Sequence, residues 1–374
     1  MSLVSHLMYT LDVLKTRKKH GVDEAMKFFQ QEYRLNHLIS LTGPKIAPVL
    51  SIIDGLTLGG GAGLSINAPF CVSTERSVFA MPETAIGFYP DVGATNFLPK
   101  LDCGLGVFLG LTGERLHGQQ IYHCGLATHY IPHHRIEDLI ARLSGLDGSD
   151  PNFNLILNEF SGSYLPETTF KISDNSIDSN LPSRRFNKSD CYEDIACKLK
   201  RISQEAKGPS AVYSEKILTK LQTMCPNSLR KTVKLLRVGG QLASLAKCLT
   251  MELAATRYFL SGATFEFGTK AKLIDKLKRT PEWPIVNDSD DLNEFLRDHK
   301  MLAGEIVEDH SQYHSFLPHY TLPSEKEIRR LLIRHSGAKE LVKREILDKY
   351  SPYKLGISEH LDLLFEYVEM QNKL

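Results

Sequence analysis

The sequence predicts an α/β fold in which short strands and helices come first and a mainly helical region follows. Residues 48–53 are apolar and β-branched, which is typical of a buried strand. Short strand–turn–helix patterns continue from there to residue 143, and beyond residue 145 the apolar residues recur at helical spacing. At 374 residues the chain is long enough for a sizeable core and for more than one domain.

The first 40 residues are predicted to form one or two helices. Apolar residues recur at helical spacing, first around Leu11 and Leu14 and then around Met26 and Phe29. The basic run 15–20 between these groups is interpreted as a solvated face. A mildly basic, amphipathic N-terminus is also typical of a transit peptide, but this spacing favours mature helical structure.

The predicted strand 48–53 runs towards three consecutive glycines, Gly59, Gly60 and Gly61. Glycines carry no side chain, so their backbone N–H groups are uncovered and a ligand can approach closely. A helix is predicted to begin nearby, and the positive end of its dipole would then add to those N–H groups. This stretch is therefore a candidate binding site for a negatively charged oxygen.

Two carboxylates follow the glycines. A two-strand pattern covers residues 70–74 and 77–81, with a turn at 75–76, and it leads to Glu83 just after Pro82. Asp91 comes eight residues later, after Pro90. We expect the backbone donors and the two carboxylates to converge on one place.

Such an arrangement suits a reaction in which a carbonyl oxygen becomes negative. Donors fixed where the charge develops stabilise the transition state, and losing one costs about 3–4 kcal/mol. A carboxylate on the opposite side can activate water or attack directly. Glu83 has apolar neighbours on both sides, and burial there is expected to raise its pKa towards the working range.

Simpler interpretations stay open for each of these residues. A glycine triplet between a strand and a helix is more often a tight turn than an oxyanion site. A carboxylate after a strand is usually a helix cap or a solvated residue, and this applies to Glu83. Asp91, or Pro90 before it, is a candidate N-cap for a short helix over 92–98.

Glycine and proline mark the ends of the next predicted elements. A helix over 104–111 is ended by Gly113, and a helix over 118–124 by Gly125. Further elements are a strand over 127–131 and a helix over 136–143.

Beyond residue 145 the sequence predicts a helical region interrupted by a polar loop. The loop covers residues 173–190, which are rich in Ser, Asp and Asn. Glu252 and Arg257 fall on one of these helices and are interpreted as an exposed ion pair of small stabilising effect. The predicted helices are 153–160, 192–202, 210–221, 226–236 and 241–259.

Composition excludes several classes of protein. The net charge of +1 does not favour a globally basic nucleic-acid binder, and no DNA partner is expected. The seven cysteines form no CxxC pair and the fourteen histidines no HExxH motif, so neither a disulfide framework nor a zinc site is predicted. No run of about 20 apolar residues occurs, so no membrane span is predicted.

Several sequence stretches resemble the 3-hydroxyisobutyryl-CoA hydrolase family of the crotonase (enoyl-CoA hydratase/isomerase) superfamily. They occur in family order over roughly residues 25–290, and MPETAIGFYPDVG is specific to the hydrolase branch. The resemblance implies a spiral of ββα units, with a helical region covering an acyl-CoA cleft. The stretches are GLTLGGGAGLS, FAMPETAIGFYPDVGATNFLP, LTGERLHGQQIYHCGLATHY and, later, AKLIDK with Trp283.

The resemblance also implies site residues, namely Glu32, Gly60, Glu83 and Asp91. Gly60 would donate a backbone N–H to the thioester oxygen. Glu83 would be the nucleophile or the general base, and Asp91 would handle a proton or the substrate's hydroxyl. The implied activity is hydrolysis of 3-hydroxyisobutyryl-CoA in mitochondrial valine breakdown, with no metal or redox cofactor.

Two further expectations come with the resemblance. Lys270, Lys272 and Lys276 are candidates to meet the CoA phosphates, although solvated lysines are the favoured interpretation. Relatives have first strands and a second oxyanion loop that find no counterpart before residue 48, so the spiral is expected to be N-terminally truncated, with apolar edges uncovered and lower stability.

The last region of the chain is basic and predicted to be helical. Ser324 is a candidate cap for a helix over 325–335 that carries several Lys and Arg residues. It is interpreted either as a helical pair with a basic outer face or as a docking element for RNA or an acidic partner. The tail more weakly resembles the extension of fungal relatives found on the mitochondrial small ribosomal subunit. Three regions are thus predicted: a spiral core over 1–145, a helical region over 146–295 and a basic extension over 296–374.

Overall fold

A computed structural model describes most of the chain. The predicted loop 173–190 lies outside the described residues. The described parts are residues 3–42, 48–146, 150, 152–161, 191–242, 244–277, 280–285 and 322–351, with single positions 357, 361, 362, 364, 365 and 368.

Two helices open the structure, as predicted: α1 (Leu3–His20) and α2 (Val22–Leu41). Gly21 separates them with a φ of 90°, a left-handed conformation that glycine adopts readily. The basic run at the end of α1 is largely exposed, but Arg17 lies 3.2 Å from the Glu266 carboxylate. This run is therefore solvated only in part, since it also ties α1 to a later helix.

Within the described residues, six short strands form two three-stranded sheets. In the first, β3 pairs in parallel with both β1 and β6; in the second, β4 pairs in parallel with β2 and antiparallel with β5. The predicted pattern over residues 70–81 is therefore two strands in different sheets rather than a hairpin. The strands are β1 (Leu50–Ile53), β2 (Leu56–Leu58), β3 (Phe70–Ser73), β4 (Val78–Ala80), β5 (Leu116–His117) and β6 (His129–Tyr130).

Helices connect these strands close to the predicted positions. Gly113 ends α5 with a φ of 58° and lies against Pro82, where a Cβ would come within 2.9 Å of the Pro82 Cα. The helices are α3 (Gly60–Ile66), α4 (Ala94–Phe97), α5 (Leu105–Thr112), α6 (Gln119–His123), α7 (Ile136–Ser144) and α8 (Phe153–Ser161). Short 3₁₀ helices cover Glu83–Ile86, Leu98–Lys100, Asp102–Gly104 and His133–Arg135.

The helical region has the predicted elements with slightly shifted ends. A π-helical turn, Lys270–Ile274, directly follows α13. The helices are α9 (Tyr192–Glu205), α10 (Pro209–Gln222), α11 (Pro226–Gln241), α12 (Leu245–Ser261) and α13 (Thr264–Thr269).

One large apolar core joins the sheets to this helical region. Its members range from Val13 in α1 to Phe265 in α13 and include Tyr89 and Phe259, whose rings stack at 5.1 Å. A smaller core lies between the first sheet and helices α7 and α8. The large core therefore contains residues from both sides of the domain boundary predicted between residues 145 and 146. The boundary itself stays a prediction.

The C-terminal extension has an apolar core of its own. Helix α14 (Glu325–Arg334) begins at Ser324, whose hydroxyl accepts the Glu327 N–H, as the sequence predicted. It pairs with α15 (Lys339–Tyr350) around Ile328 and Ile346, together with later residues up to Val368. The Asp102 carboxylate accepts the Glu325 N–H at 2.7 Å and so links the extension to the spiral.

Within the described residues no helix is both long and apolar enough to cross a membrane. The same part of the chain holds no group of three or more His, Cys, Asp or Glu residues arranged to bind a metal ion.

Candidate functional site

Neighbouring parallel strands bring Gly60 and Glu83 to the same edge of a sheet. Leu58 at the end of β2 is paired with Ala80 at the end of β4. Gly60 follows two residues after Leu58, and Glu83 follows three residues after Ala80. Because parallel strands end at the same edge, both residues emerge there, Gly60 at the start of α3 and Glu83 at the start of a 3₁₀ helix.

Gly60 lies directly against the carboxyl group of Glu32, a half-buried residue of α2. A Cβ atom placed on Gly60 would come within 2.6 Å of Glu32 Oε1. Burial raises the pKa of Glu32 to about 8, and the negative charge of Asp91 acts in the same direction. Glu32 is thus close to both Gly60 and Asp91, which lie 31 positions apart in sequence.

The Glu83 side chain is only 3% exposed, and neither of its carboxyl oxygens has a hydrogen-bond partner. It makes no capping hydrogen bond to the 3₁₀ helix that it begins. Burial, and secondly the charge of Asp91, raises the pKa of Glu83 well above its usual range. The interpretation of Glu83 as a cap or a solvated residue is therefore wrong.

Asp91 is also buried, with 5% exposure, and its carboxylate accepts a hydrogen bond from Tyr33 Oη at 2.8 Å. Burial raises its pKa to about 7, against the effect of the Tyr33 hydrogen bond. The N-cap position of α4 is occupied by Gly93, two residues after Asp91, and Gly93 has no side chain to cap the helix. The N-cap interpretation of Asp91 is therefore wrong.

The backbone after Asp91 is strained. Val92 has a φ of 53°, a left-handed conformation that a β-branched residue rarely adopts, and Gly93 follows with a φ of 91°. Such a residue costs about 1–3 kcal/mol and persists only when its surroundings enforce it. Here the Asn67 amide donates to the Val92 carbonyl at 2.9 Å and to the Gly63 carbonyl at 2.8 Å. These contacts hold the backbone next to Asp91 and so help to fix the direction of the Asp91 side chain.

Glu252 is the residue that the sequence analysis misplaced. It is fully buried on α12 and does not pair with Arg257, which instead contacts Asp23 at 2.6 Å on the surface. Its carboxylate accepts three hydrogen bonds: from Gly93 N at 2.7 Å, from Thr95 N at 2.9 Å and from Thr95 Oγ1 at 2.6 Å. It thereby supplies the acceptors that the first turn of α4 lacks.

A sequence signal for Glu252 existed but was not used. It is one carboxylate inside the apolar run of α12, and such a residue is rarely buried without partners. Burial raises its pKa to about 8, although its three donors act in the opposite direction.

Three hydroxyl groups connect Asp91 to helix α12. Tyr33 Oη lies 2.9 Å from Thr256 Oγ1, which in turn lies 2.9 Å from Tyr89 Oη. Tyr89 Oη donates to the backbone carbonyl of Glu252 at 2.6 Å. All three side chains are fully buried, and none was singled out from the sequence, because their pairing joins positions more than 160 residues apart.

The lysines considered for phosphate contacts lie on or just after the π-helical turn. Lys270 and Lys276 are exposed, and Lys272 is half-buried. Exposure agrees with solvated side chains, and a role towards phosphate stays a prediction.

Comparison with known families identifies the family of this chain. The family described as enoyl-CoA hydratase/isomerase matches residues 11–295. The chain belongs to the enoyl-CoA hydratase/isomerase family. Among curated members, it is 35% identical over 291 residues to the mitochondrial 3-hydroxyisobutyryl-CoA hydrolase of Rattus norvegicus, covering 77% of this chain and 72% of that protein. The corresponding protein of Dictyostelium discoideum is 37% identical over 259 residues, covering 68% of this chain and 64% of the relative.

A family member with a different name aligns over more of the chain. The small ribosomal subunit protein mS47 of Neurospora crassa is 33% identical over 339 residues, covering 86% of this chain and 65% of that protein. This chain thus spans about two thirds of the length of these curated relatives.

Solved structures agree with the fold predicted for the family. A carnitinyl-CoA dehydratase from Mycobacterium thermoresistibile matches with a TM-score of 0.63 and 26% identity, covering 77% of each chain. An enoyl-CoA hydratase from Rhodobacter sphaeroides matches with a TM-score of 0.57 and 26% identity, covering 76% of this chain and 77% of that one. The predicted crotonase-type α/β fold is confirmed.

Proposed function

We propose that this family member hydrolyses 3-hydroxyisobutyryl-CoA to 3-hydroxyisobutyrate and CoA in mitochondrial valine breakdown. The names of its relatives support this substrate and a mitochondrial location. The observation that carries the proposal is the state of Glu83. A buried carboxyl group with two unpartnered oxygens costs stability, and it stands beside Asp91 at the sheet edge that it shares with Gly60.

In the proposed reaction Glu83 acts on the thioester carbonyl carbon. As general base it removes a proton from water, which then attacks; as nucleophile it attacks the carbon itself and water releases the acyl group afterwards. The Gly60 N–H holds the oxygen that becomes negative, an interaction that contributes about 3–4 kcal/mol in comparable sites. CoA departs as a thiolate, a good leaving group, so the reaction needs no metal or redox cofactor.

Glu32 is proposed to border the acyl group. Its carboxyl group lies against Gly60, the residue proposed to bind the substrate oxygen. A carboxyl group with a pKa of about 8 is protonated over much of the neutral range and then offers a hydrogen-bond donor to substrate.

The test is hydrolysis of 3-hydroxyisobutyryl-CoA by the purified protein, followed by thiol release. Glu83→Gln keeps the shape of the side chain but removes its basicity, and kcat is expected to fall at least about 100-fold. Glu75→Gln is the matched control, because Glu75 is exposed and its contact is with the His133 N–H. A folded wild-type protein without hydrolase activity, or a fully active Glu83→Gln variant, would overturn the proposal.

A second candidate function is that of a component of the mitochondrial small ribosomal subunit. Residues 1–295 make up less than 86% of the chain, so the match to the Neurospora crassa protein must continue into the region after residue 295. Part of the positive charge there is neutralised internally. Among the described residues of this region, Arg329, Arg334, Lys343 and Lys349 lie in ion pairs, and His335 Nε2 lies 2.6 Å from the Glu345 carboxylate.

If this second function holds, binding should use the exposed cations of the extension. Lys326, Arg330 and Arg344 are exposed, and reversing all three charges should reduce co-sedimentation with mitochondrial small subunits. A control variant reverses three exposed lysines of the helical region: Lys200, Lys207 and Lys216. Deletion of residues 320–374 should release the protein. Sedimentation unaffected by that deletion would contradict anchoring through the extension.

A further inference from the structure

Asp91 is the first member of a series of four short oxygen–oxygen contacts. The series runs from Asp91 Oδ2 to Tyr33 Oη (2.8 Å), to Thr256 Oγ1 (2.9 Å), to Tyr89 Oη (2.9 Å) and ends at the Glu252 backbone carbonyl oxygen (2.6 Å). The four side chains are buried, with exposures of 5% for Asp91 and 0% for the others. Each distance is that of an O–H···O hydrogen bond.

The number of hydrogens available limits how this series can be arranged. Four contacts need four hydrogens, while the three hydroxyl groups supply three and the carbonyl oxygen supplies none. If Asp91 is ionised, one contact therefore brings two oxygen atoms together with no hydrogen between them. If Asp91 is protonated, every contact is satisfied: Asp91 donates to Tyr33, Tyr33 to Thr256, Thr256 to Tyr89 and Tyr89 to the carbonyl.

We propose that the hydroxyl series Tyr33–Thr256–Tyr89 holds Asp91 as the neutral acid, so that Asp91 enters the reaction as the proton donor. This inference rests on the proposed hydrolase function for its chemical role. Tyr33, Thr256 and Tyr89 are positioning residues, since they act through Asp91 and not on the substrate.

Burial and the acidic side chains around Asp91 favour the same state. Ionisable side chains lie near it in four parts of the chain: Glu32 and Tyr33 in α2, Glu83 in the 3₁₀ helix, Tyr89 just before Asp91, and Glu252 in α12. Burial raises the pKa of Asp91 to about 7, although the hydrogen bonds from Tyr33 and from the Asp91 backbone N–H act in the opposite direction.

A neutral Asp91 also changes what Glu83 can do. The charge of Asp91 is the second cause of the raised Glu83 pKa. With Asp91 protonated that contribution disappears, so Glu83 ionises at lower pH than it would beside a charged Asp91, although its burial still raises its pKa. Two neighbouring carboxyl groups thereby take different roles, one as acid and one as base.

The proton balance of the hydrolysis closes with these two roles. Glu83 takes one proton from the attacking water as the new C–O bond forms. The C–S bond breaks to leave the thiolate of CoA, and Asp91 gives its proton to that thiolate, so that CoA is released as a thiol. Glu83 then releases the proton that it took, the acid product releases a second, and Asp91 regains one, so that one proton is released to solvent in each turnover and the starting series is restored.

The experiment measures the protonation of Asp91 directly in the protein without substrate. Infrared difference spectra between wild type and Asp91→Asn isolate the carboxylic acid C=O band of Asp91 and follow it with pH. We expect this band at pH 6 in the wild type. Thr256→Val keeps the shape but breaks the series, leaving Tyr33 free to donate to an ionised Asp91. In that variant the pKa of Asp91 should fall by about one unit or more, a tenfold change in its acid dissociation constant.

The control is Thr250→Val, since Thr250 lies on the same helix and its hydroxyl bonds to the Ala246 carbonyl of that helix at 2.9 Å. It should leave the Asp91 titration unchanged. An Asp91 that is ionised at pH 5 in the wild type, or a titration that Thr256→Val does not move, would overturn the inference. A shift of equal size in both variants would overturn it too. Since no substrate is used, absent hydrolase activity would remove the proposed function without deciding the titration.

Discussion

Glu83 and Glu252 are both buried glutamates within reach of the Asp91 charge, yet their surroundings are opposite. Glu252 accepts three hydrogen bonds from the first turn of α4, and Glu83 accepts none. Glu252 is therefore a structural residue whose carboxylate has hydrogen-bond partners, whereas the Glu83 carboxyl group has none. Buried polar groups normally have partners, so Glu83 is where a missing partner is to be expected.

This difference separates stability from chemistry within one cluster. Glu252 fixes the strained Val92–Gly93 turn through the Gly93 N–H and thus positions Asp91. Glu83 contributes nothing comparable to the fold, and its burial raises the free energy of the folded state. The following predictions change one side at a time.

The largest expected effect is the dependence of stability on pH. The pKa values of Glu32, Asp91 and Glu252 are about 8, 7 and 8 in the folded protein, against usual values of 4.5, 3.8 and 4.5. Between those limits the folded protein binds protons that the unfolded chain has released. The stabilisation is therefore complete below about pH 4 and is lost as pH rises through 7 to 8, by about 1.4 kcal/mol per pH unit for each such proton.

Urea unfolding at a series of pH values measures this slope. Glu83→Gln removes one buried acid that lacks partners, so its slope should be shallower than that of the wild type. A wild-type stability that rises steadily from pH 4 to pH 8 would contradict the account.

The second prediction concerns the two glutamates themselves. Glu252→Gln places an amide N–H₂ group opposite backbone N–H donors and should destabilise the protein by about 2–3 kcal/mol at neutral pH. Glu83→Gln should leave stability unchanged or raise it slightly, because it removes a buried ionisable group without losing a hydrogen bond. The midpoints of urea unfolding measure both changes. Equal losses of stability in the two variants would show that Glu252 and Glu83 do not differ in their contribution to the fold.

Much of this arrangement was predictable from the sequence because it depends on local pattern. Strand β1, the glycine start of α3 and the positions of Glu83 and Asp91 follow from apolar spacing and from glycine and proline signals. The membership of strands in two sheets was not predictable in this way. Alternate strands along the chain look alike in sequence, and only the tertiary fold decides which ones pair.

The third prediction compares two glycines of α3. A Cβ on Gly63 would come within 2.6 Å of Val92 Cβ, whereas a Cβ on Gly60 would meet only the flexible end of Glu32. Gly63→Ala should therefore cost about 1–3 kcal/mol of stability by overpacking. Gly60→Ala should change stability little and raise KM, since Glu32 must move. Thermal unfolding and steady-state kinetics separate these outcomes, and the reverse pattern would contradict the packing described.

The smallest expected effect is at the surface. Arg257 contacts Asp23 at 2.6 Å with both side chains substantially exposed, so Arg257→Ala should cost less than about 1 kcal/mol. The loss should shrink further at high salt, because exposed pairs are screened. A cost as large as that of Glu252→Gln would mean that Arg257 supports the cluster after all.

What the sequence could not reveal is how distant residues complete the site. Glu252 and Thr256 come from a helix more than 150 positions after Asp91, and their contacts arise only when α12 packs against α2 and α4. The left-handed Val92 was equally hidden, since its side chain favours the opposite conformation.

The most direct test is the structure of the protein bound to an inert ketone analogue of 3-hydroxyisobutyryl-CoA, in which a CH₂ group replaces the thioester sulfur. We expect the carbonyl oxygen to lie about 3 Å from the Gly60 backbone nitrogen. We also expect the carbonyl carbon to face Glu83, with Asp91 next to the CH₂ group. An acyl group bound away from Gly60, with Glu83 still enclosed and without a partner, would contradict it.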